Sequence, residues 1–311
     1  MTITKIWNRL SSVTWLASNC RRGRNIGTTP RASWLRCLIS RNILKLRHQV
    51  RGGGFLVTDI EGAYHSILKD AGRTPERTID CYVRELLEWR ELSEYWERRT
   101  RETMTPDRVR VLALNDSTSY WEQVIKRRMP MVLFYALTRE FKPKVIVETG
   151  TSYGGATSFY LAAAFKNGYG RVVSIDIPPI AGKLTMDETV DESEIGSFIP
   201  EFLKSYWDLR LGDAKVLLPK VLAEMDVELF IHDSLHTRTH MSFEYAVARA
   251  LMQHRSLIIT DDTLANNAFD SFLATHQLTG YAIADYPNSG ITVNLFDDEE
   301  LSIGTEIVNI D

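Results

Sequence analysis

The sequence predicts an α/β fold with a mostly parallel sheet and helices on both faces, and three observations carry that prediction. From Lys144 onward, β-branched runs of strand length alternate with stretches of helix length, the pattern of repeated βα units. The first run, KVIVE, opens into the glycine-rich turn TGTSYGG ahead of a helical stretch. The series closes on two runs, 281–286 and 290–296, separated by PNSG, which reads as a hairpin. Seven strands are expected, with any ligand lying along their carboxyl ends.

Residues 1–58 carry eleven Lys and Arg and no acid, so residues 59–311 hold 26 basic against 40 acidic residues, a net charge of −14. Trp7, Trp15 and Trp34 are interspersed in this basic arm. It reads as a solvated extension, with an anionic-surface contact or an organellar transit peptide as competing readings. Ser11, Ser12 and Thr14 break the apolar stretch behind Lys5 and Arg9 and argue against a secretory signal. Gly52, Gly53 and Gly54 mark a composition shift, and a boundary is placed before Asp59.

Residues 59–101 read as helical. After Pro75, helical spacing brings Tyr82, Leu86, Trp89 and Trp96 near one face, as a packing stripe, and Arg84, Glu88, Glu91 and Arg98 toward another. A helix over 120–140 leads into the first strand; it contains the longest apolar run, Met129 to Leu137, too short to span a membrane. The chain therefore divides into a basic arm (1–58), a helical segment (59–140) and a nucleotide-binding domain (141–311). Cys20, Cys37 and Cys81 show no metal or disulfide spacing and suggest a reducing, cytoplasmic setting, with organellar targeting left open.

Within the last segment, Lys144–Val147 reads as a buried strand and Ala156–Phe165 as a helix. Strand 171–176, a polar stretch, a helix near 194–205, strand 208–212, helix 214–224, strand 227–233, helix 237–253, strand 256–261 and helix 266–276 follow before the hairpin. Gly150, Gly154 and Gly155 give G-x-x-x-G-G after Glu148, whereas a dinucleotide fingerprint would be G-x-G-x-x-G. Glycines allow close backbone approach, and the following helix N-terminus offers free N–H groups to a ligand. Asp176 closes the second strand, where an acid can accept ribose hydroxyls. Asp213 and Ala214 follow the third strand, at an adenine position that is equally a helix N-cap.

Asp233 ends the fourth strand, and Asp261 and Asp262 end the fifth. Neighbouring ends of a parallel sheet bring such acids together, where they repel and raise one another's pKa. A hard cation such as Mg²⁺ would relieve the repulsion. His236, His240 and Glu244 recur at every fourth residue along one helix face. His236 is expected to face the site, with His240 and Glu244 behind it or on the surface. A zinc reading of the trio is weak, because zinc wants a tighter His/Cys set.

The glycine turn after Glu148 resembles the first motif of class I S-adenosylmethionine-dependent methyltransferases. The pairing of D-S-x-H (233–236) with D-D-T (261–263) is similar to the metal-dependent small-molecule O-methyltransferases. It is especially close to the cephalosporin hydroxylase-like and macrolide-sugar O-methyltransferase group. The resemblance covers about residues 140–296. It implies a Rossmann-like sheet whose last strand is antiparallel, and S-adenosylmethionine held by Glu148, Gly150, Thr151, Gly154, Gly155, Asp176, Asp213 and Ala214. It also implies Mg²⁺ or another divalent cation on Asp233, Asp261 and Asp262, with Asp233 and His236 catalytic. Many relatives read D-G-D-H where this chain has Ser234 and Leu235, which bears on the acceptor contacts. The expected acceptor is a hydroxyl of a small molecule, a sugar or secondary-metabolite glycoside.

Two other readings compete, an NAD(P)-dependent oxidoreductase and a catalytically silent cofactor-binding scaffold. Nucleic acid is not an expected partner, because the body is acidic and DIPPI (176–180) follows the wrong strand for an amino-methylation motif. A homo-oligomer is left open, and no transmembrane segment is expected.

Overall fold

The computed structural model describes residues 55–103, 119–126, 129–177 and 191–296. Its contacts divide the chain into two units, Met1–Arg47 and His48–Asp311. The basic arm as far as residue 54, with Trp7, Trp15 and Trp34, lies outside the described residues, as does most of the DIPPI stretch. The described elements run β1 (Phe55–Thr58), α1 (Ile60–Asp70), α2 (Ile79–Glu88), α3 (Arg90–Thr103), α4 (Tyr120–Lys126), α5 (Pro130–Phe141), β2 (Val145–Thr149), α6 (Gly155–Asn167) and β3 (Arg171–Asp176). They continue with β4 (Trp207–Leu211), α7 (Ala214–Glu224), β5 (Leu229–His232), α8 (Arg238–Leu251), β6 (Ser256–Thr260), α9 (Ala268–Thr275), β7 (Gly280–Ile283) and β8 (Tyr286–Asn294). None of the described helices is long and apolar enough to cross a membrane.

All eight strands join one sheet in the order β1-β7-β8-β6-β5-β2-β3-β4. β4, β3, β2, β5 and β6 are mutually parallel, and β8 runs antiparallel between β6 and β7. The sheet thus has one strand more than expected. Phe55–Thr58 pairs in parallel with β7, Phe55 opposite Gly280 and Thr58 opposite Ile283. Four residues directly after a glycine run give no periodic signal in the sequence.

Consecutive strand residues alternate between two apolar cores, as the period of two requires. Ile146, Val172, Leu229, Ile231, Leu257 and Ile259 pack with the face covered by α1, α2, α5 and α6. Val147, Val173, Phe230 and Ile258 pack with the face covered by α7, α8 and α9. Because both faces are covered, the central strands read as continuous apolar runs. On the first face, the indole rings of Trp96 and Trp121 both pack on Phe159 of α6, beneath the glycine turn.

Three other expectations are corrected. The helical segment 59–101 is three helices, broken at Trp89, whose ψ of 83° leaves the helical range. The helix near 194–205 is two short 3₁₀ turns, Glu192–Glu194 and Glu201–Tyr206, with Gly196 at φ +72° between them. The reversal between the last two strands falls at Ala284 and Asp285, so PNSG lies inside β8. There Ser289 and Asn288 face the ends of the central strands: Ser289 Oγ donates to Asp261 Oδ1 at 2.9 Å.

Candidate active site

The turn between β2 and α6 is shaped by backbone conformations that side chains resist. Gly150 has φ +84°, and a Cβ there would lie 2.1 Å from the Asp233 carbonyl oxygen. Gly154 caps α6 at φ +80°, with the Gly196 backbone and Ile199 against it. Both positions therefore require glycine. Gly155, the first residue of α6, meets only Trp96 at 3.9 Å and has no such requirement.

The two acids at this turn take different parts. Glu148 is 2% exposed. Its carboxylate accepts from the hydroxyls of Ser174, Thr157 (3.1 Å) and Thr151 (3.4 Å). Burial pushes it up to about 7, against the pull of those hydroxyls. Glu148 is thus turned into the protein, where its bonds brace the root of the turn. Asp176 closes the turn from β3: one oxygen accepts from the Thr151 and Ser152 amides at 2.9 and 2.7 Å, the other from the Ile177 amide at 2.7 Å. Asp213 is the N-cap of α7 and accepts from the Lys215 amide at 2.8 Å, beside Ala214.

On the neighbouring strand ends, the ring of His236 stands between two carboxylates. Its Nε2 is 3.7 Å from Asp233 Oδ1 and its Nδ1 is 3.4 Å from Asp262 Oδ2. Asp262 itself sits at φ +49°. Asn266 Nδ2 donates to the His236 carbonyl at 3.2 Å and links the two loops. Low-dielectric surroundings and the charge of Asp261 hold Asp233 well above the usual carboxylate range, although its side chain keeps 38% exposure. Burial likewise raises Asp261, opposed by its bond from Ser289.

The three acids do come to one rim, but as placed they do not fit an ion. Asp261 is bonded to Ser289, Asp262 accepts from Asn288 Nδ2, and His236 occupies the space between Asp233 and Asp262. Among the described residues, no group of three or more His, Cys, Asp or Glu converges to hold a metal.

Behind this rim lie His240 and Glu244, in the first of the two places the sequence allowed them, together with a partner that the sequence reading missed. Glu244 is fully buried and His240 6% exposed; neither is on the surface. Glu244 bonds His232 Nδ1 (2.5 Å), His240 Nε2 (2.8 Å), Thr149 Oγ1 (2.6 Å) and Ser234 Oγ (3.0 Å). These bonds hold its carboxyl down at about 2 against the opposing effect of burial. The i, i+4 spacing of His240 and Glu244 was legible, but nothing local marked the strand residue His232 as their partner.

Residues 147–263, from β2 to just past β6, match a family model described as a methyltransferase domain. That match spans less than half of the chain. The sheet has the parallel order and the antiparallel terminal strand expected from the resemblance to the class I methyltransferase fold. No protein of curated function matches the chain. Among solved structures, the chain is similar to the SAH-bound methyltransferase PaMTH1 of Podospora anserina, at 16% identity and TM-score 0.45, over 67% of this chain and 88% of that one. It is also similar to the calicheamicin methyltransferase CalS11, at 16% identity and TM-score 0.43, over 65% and 91% of the two chains. A third is the O-methyltransferase TomG of Streptomyces achromogenes, at 14% identity and TM-score 0.41, over 68% and 99%.

Proposed function

We propose that the chain is a methyltransferase that moves the methyl group of S-adenosylmethionine onto a hydroxyl of a small molecule, with His236 taking the hydroxyl proton. The observation that carries this is the His236 ring held between Asp233 and Asp262 at strand ends beside the donor turn. In the reaction the acceptor oxygen bonds the methyl carbon as the sulfur–methyl bond breaks. S-adenosylhomocysteine leaves, and the proton passes to the imidazole. A positioned base of this kind contributes roughly 10²–10⁴-fold in rate, and holding the two reactants in line supplies more.

On this reading the donor lies over Gly150, Thr151, Gly154 and Gly155. Asp176 stands near its ribose, and Asp213 and Ala214 stand near its adenine. Glu148 acts from beneath, by bracing the turn through Thr151. The acceptor is a hydroxylated molecule, a sugar or glycoside. The net charge of −14 over residues 59–311 supports an uncharged acceptor over a polyanion. A cytoplasmic setting extends the same reading.

A divalent cation is kept as a second reading because Asp233 and Asp261 are both held above the usual carboxylate range, which a cation would relieve. No step above depends on it. The test is calorimetric. S-adenosylhomocysteine should bind and NAD should not, and transfer should continue in excess chelator. Asp176→Ala should weaken binding, because the turn loses the group that closes it. Tight NAD binding with no response to S-adenosylhomocysteine would refute the proposal, and loss of transfer in chelator would move the account to the cation reading.

A further inference from the structure

The transfer step as proposed leaves one group unused, the fully buried Glu244 carboxylate. Its partners come from the ends of two paired strands and from the loop and helix that follow the second. Thr149 ends β2 immediately before Gly150, His232 ends β5 immediately before Asp233, Ser234 lies two residues before His236, and His240 is in the first turn of α8. Thr149 and His232 share Oε2, while Ser234 and His240 share Oε1. An ionised carboxylate in this position assigns the ring protons, on Nδ1 for His232 and on Nε2 for His240.

Stability alone does not require this arrangement. A buried charge, even when well partnered, is often no better than apolar packing of the same volume. His232 Nε2, moreover, is buried without a hydrogen-bond partner among the described residues, a further cost. Its effect is positional. The backbone already joins the strand ends, through Asp233 N to Thr149 O at 2.9 Å. That bond stops at Asp233, and the loop beyond it, which carries His236, is tied back to β2 through the Glu244 side chain.

We propose that Glu244 is a positioning residue that couples the donor turn to the loop bearing His236, so that filling the donor site orders the acceptor side. This rests on the methyl-transfer reading. If it holds, a ligand that touches only the donor turn slows motion on the far side of the carboxylate.

Hydrogen exchange of the full chain, with and without S-adenosylhomocysteine, tests it. In the wild type the ligand should slow exchange at least tenfold both at 149–155 and at 233–237. Glu244→Gln turns one end of the group from acceptor to donor against hydroxyl and imidazole donors. It should keep the first protection and lose the second. If Glu244→Gln does not fold, Thr149→Val cuts only the link to β2 and should give the same loss, and Thr149→Ser, which keeps the hydroxyl, should restore it. Protection at 233–237 that survives in the folded Gln or Val variant would overturn the proposal, as would its absence in the wild type. Failure of S-adenosylhomocysteine to bind at all would strike the methyl-transfer reading, a result calorimetry separates from the first.

Discussion

Replacing Glu148 with glutamine should change how stability depends on pH, in a direction set by its burial. The carboxyl rises from 4.5 to about 7 in the folded chain because desolvation outweighs its three hydroxyl donors. Between those values the native state holds a proton that the unfolded chain has released. Its contribution is therefore fully present below pH 4.5 and is lost as pH rises through 7. At about 1.4 kcal/mol for each tenfold change in proton affinity, the loss is about 3 kcal/mol. Glu148→Gln keeps the shape and can bond the same hydroxyls, but it does not titrate. Urea denaturation of both proteins at pH 4.5 and pH 8 reads this group together with the part of the Asp233 shift that the Glu148 charge causes, while Asp261 is common to both. The variant should gain about 3 kcal/mol relative to the wild type between the two pH values. A gap that stays constant across the range would refute the argument that Glu148 is held in a desolvated site.

Further outcomes follow from the same geometry. Gly150→Ala forces a side chain into φ +84° and into the Asp233 carbonyl. It should cost at least about 1–2 kcal/mol of stability from the backbone alone, measured by urea denaturation, and should weaken S-adenosylhomocysteine binding in a calorimeter. Asp213→Ala removes the cap of α7 and should cost about 1 kcal/mol, while Asp213→Asn should retain most of it. Ile258→Ala empties a fully buried position on β6 and should cost about 2–5 kcal/mol by the same measurement.

The parallel sheet was legible because its strands are buried on both faces, so that runs such as VIVET and SLIIT stand out from their surroundings. The glycine turn was legible for a related reason, since Gly150 and Gly154 adopt conformations other residues resist. What escaped depends on long-range pairing. β1 is a four-residue edge strand whose partner lies more than two hundred residues away, opposite Gly280. The last reversal was misplaced because PNSG has turn chemistry, yet Ser289 and Asn288 are needed inside β8 to meet Asp261 and Asp262.

The site shows the same division. Asp233, His236, Asp261 and Asp262 were brought to one rim by strand order, which sequence alternation conveys. Which oxygen faces which partner was not conveyed. Neighbours from β8 and the His236 ring engage the acids that the sequence suggested would share an ion. Glu148 looked like a cleft residue, yet its three hydroxyl partners come from Thr151, Thr157 and Ser174 and turn it inward.

On the proposed reading, His236 serves methyl transfer from S-adenosylmethionine to a hydroxyl. Its most direct test is transfer of a labelled methyl group to a panel of methyl glycosides and phenols, by the wild type and by His236→Ala at equal donor saturation. Label should appear on an acceptor oxygen with the wild type, and at a rate lower by roughly 10²–10⁴-fold with the variant, and the calorimetric affinity for S-adenosylhomocysteine should be unchanged. Label transferred at the wild-type rate by His236→Ala would contradict it.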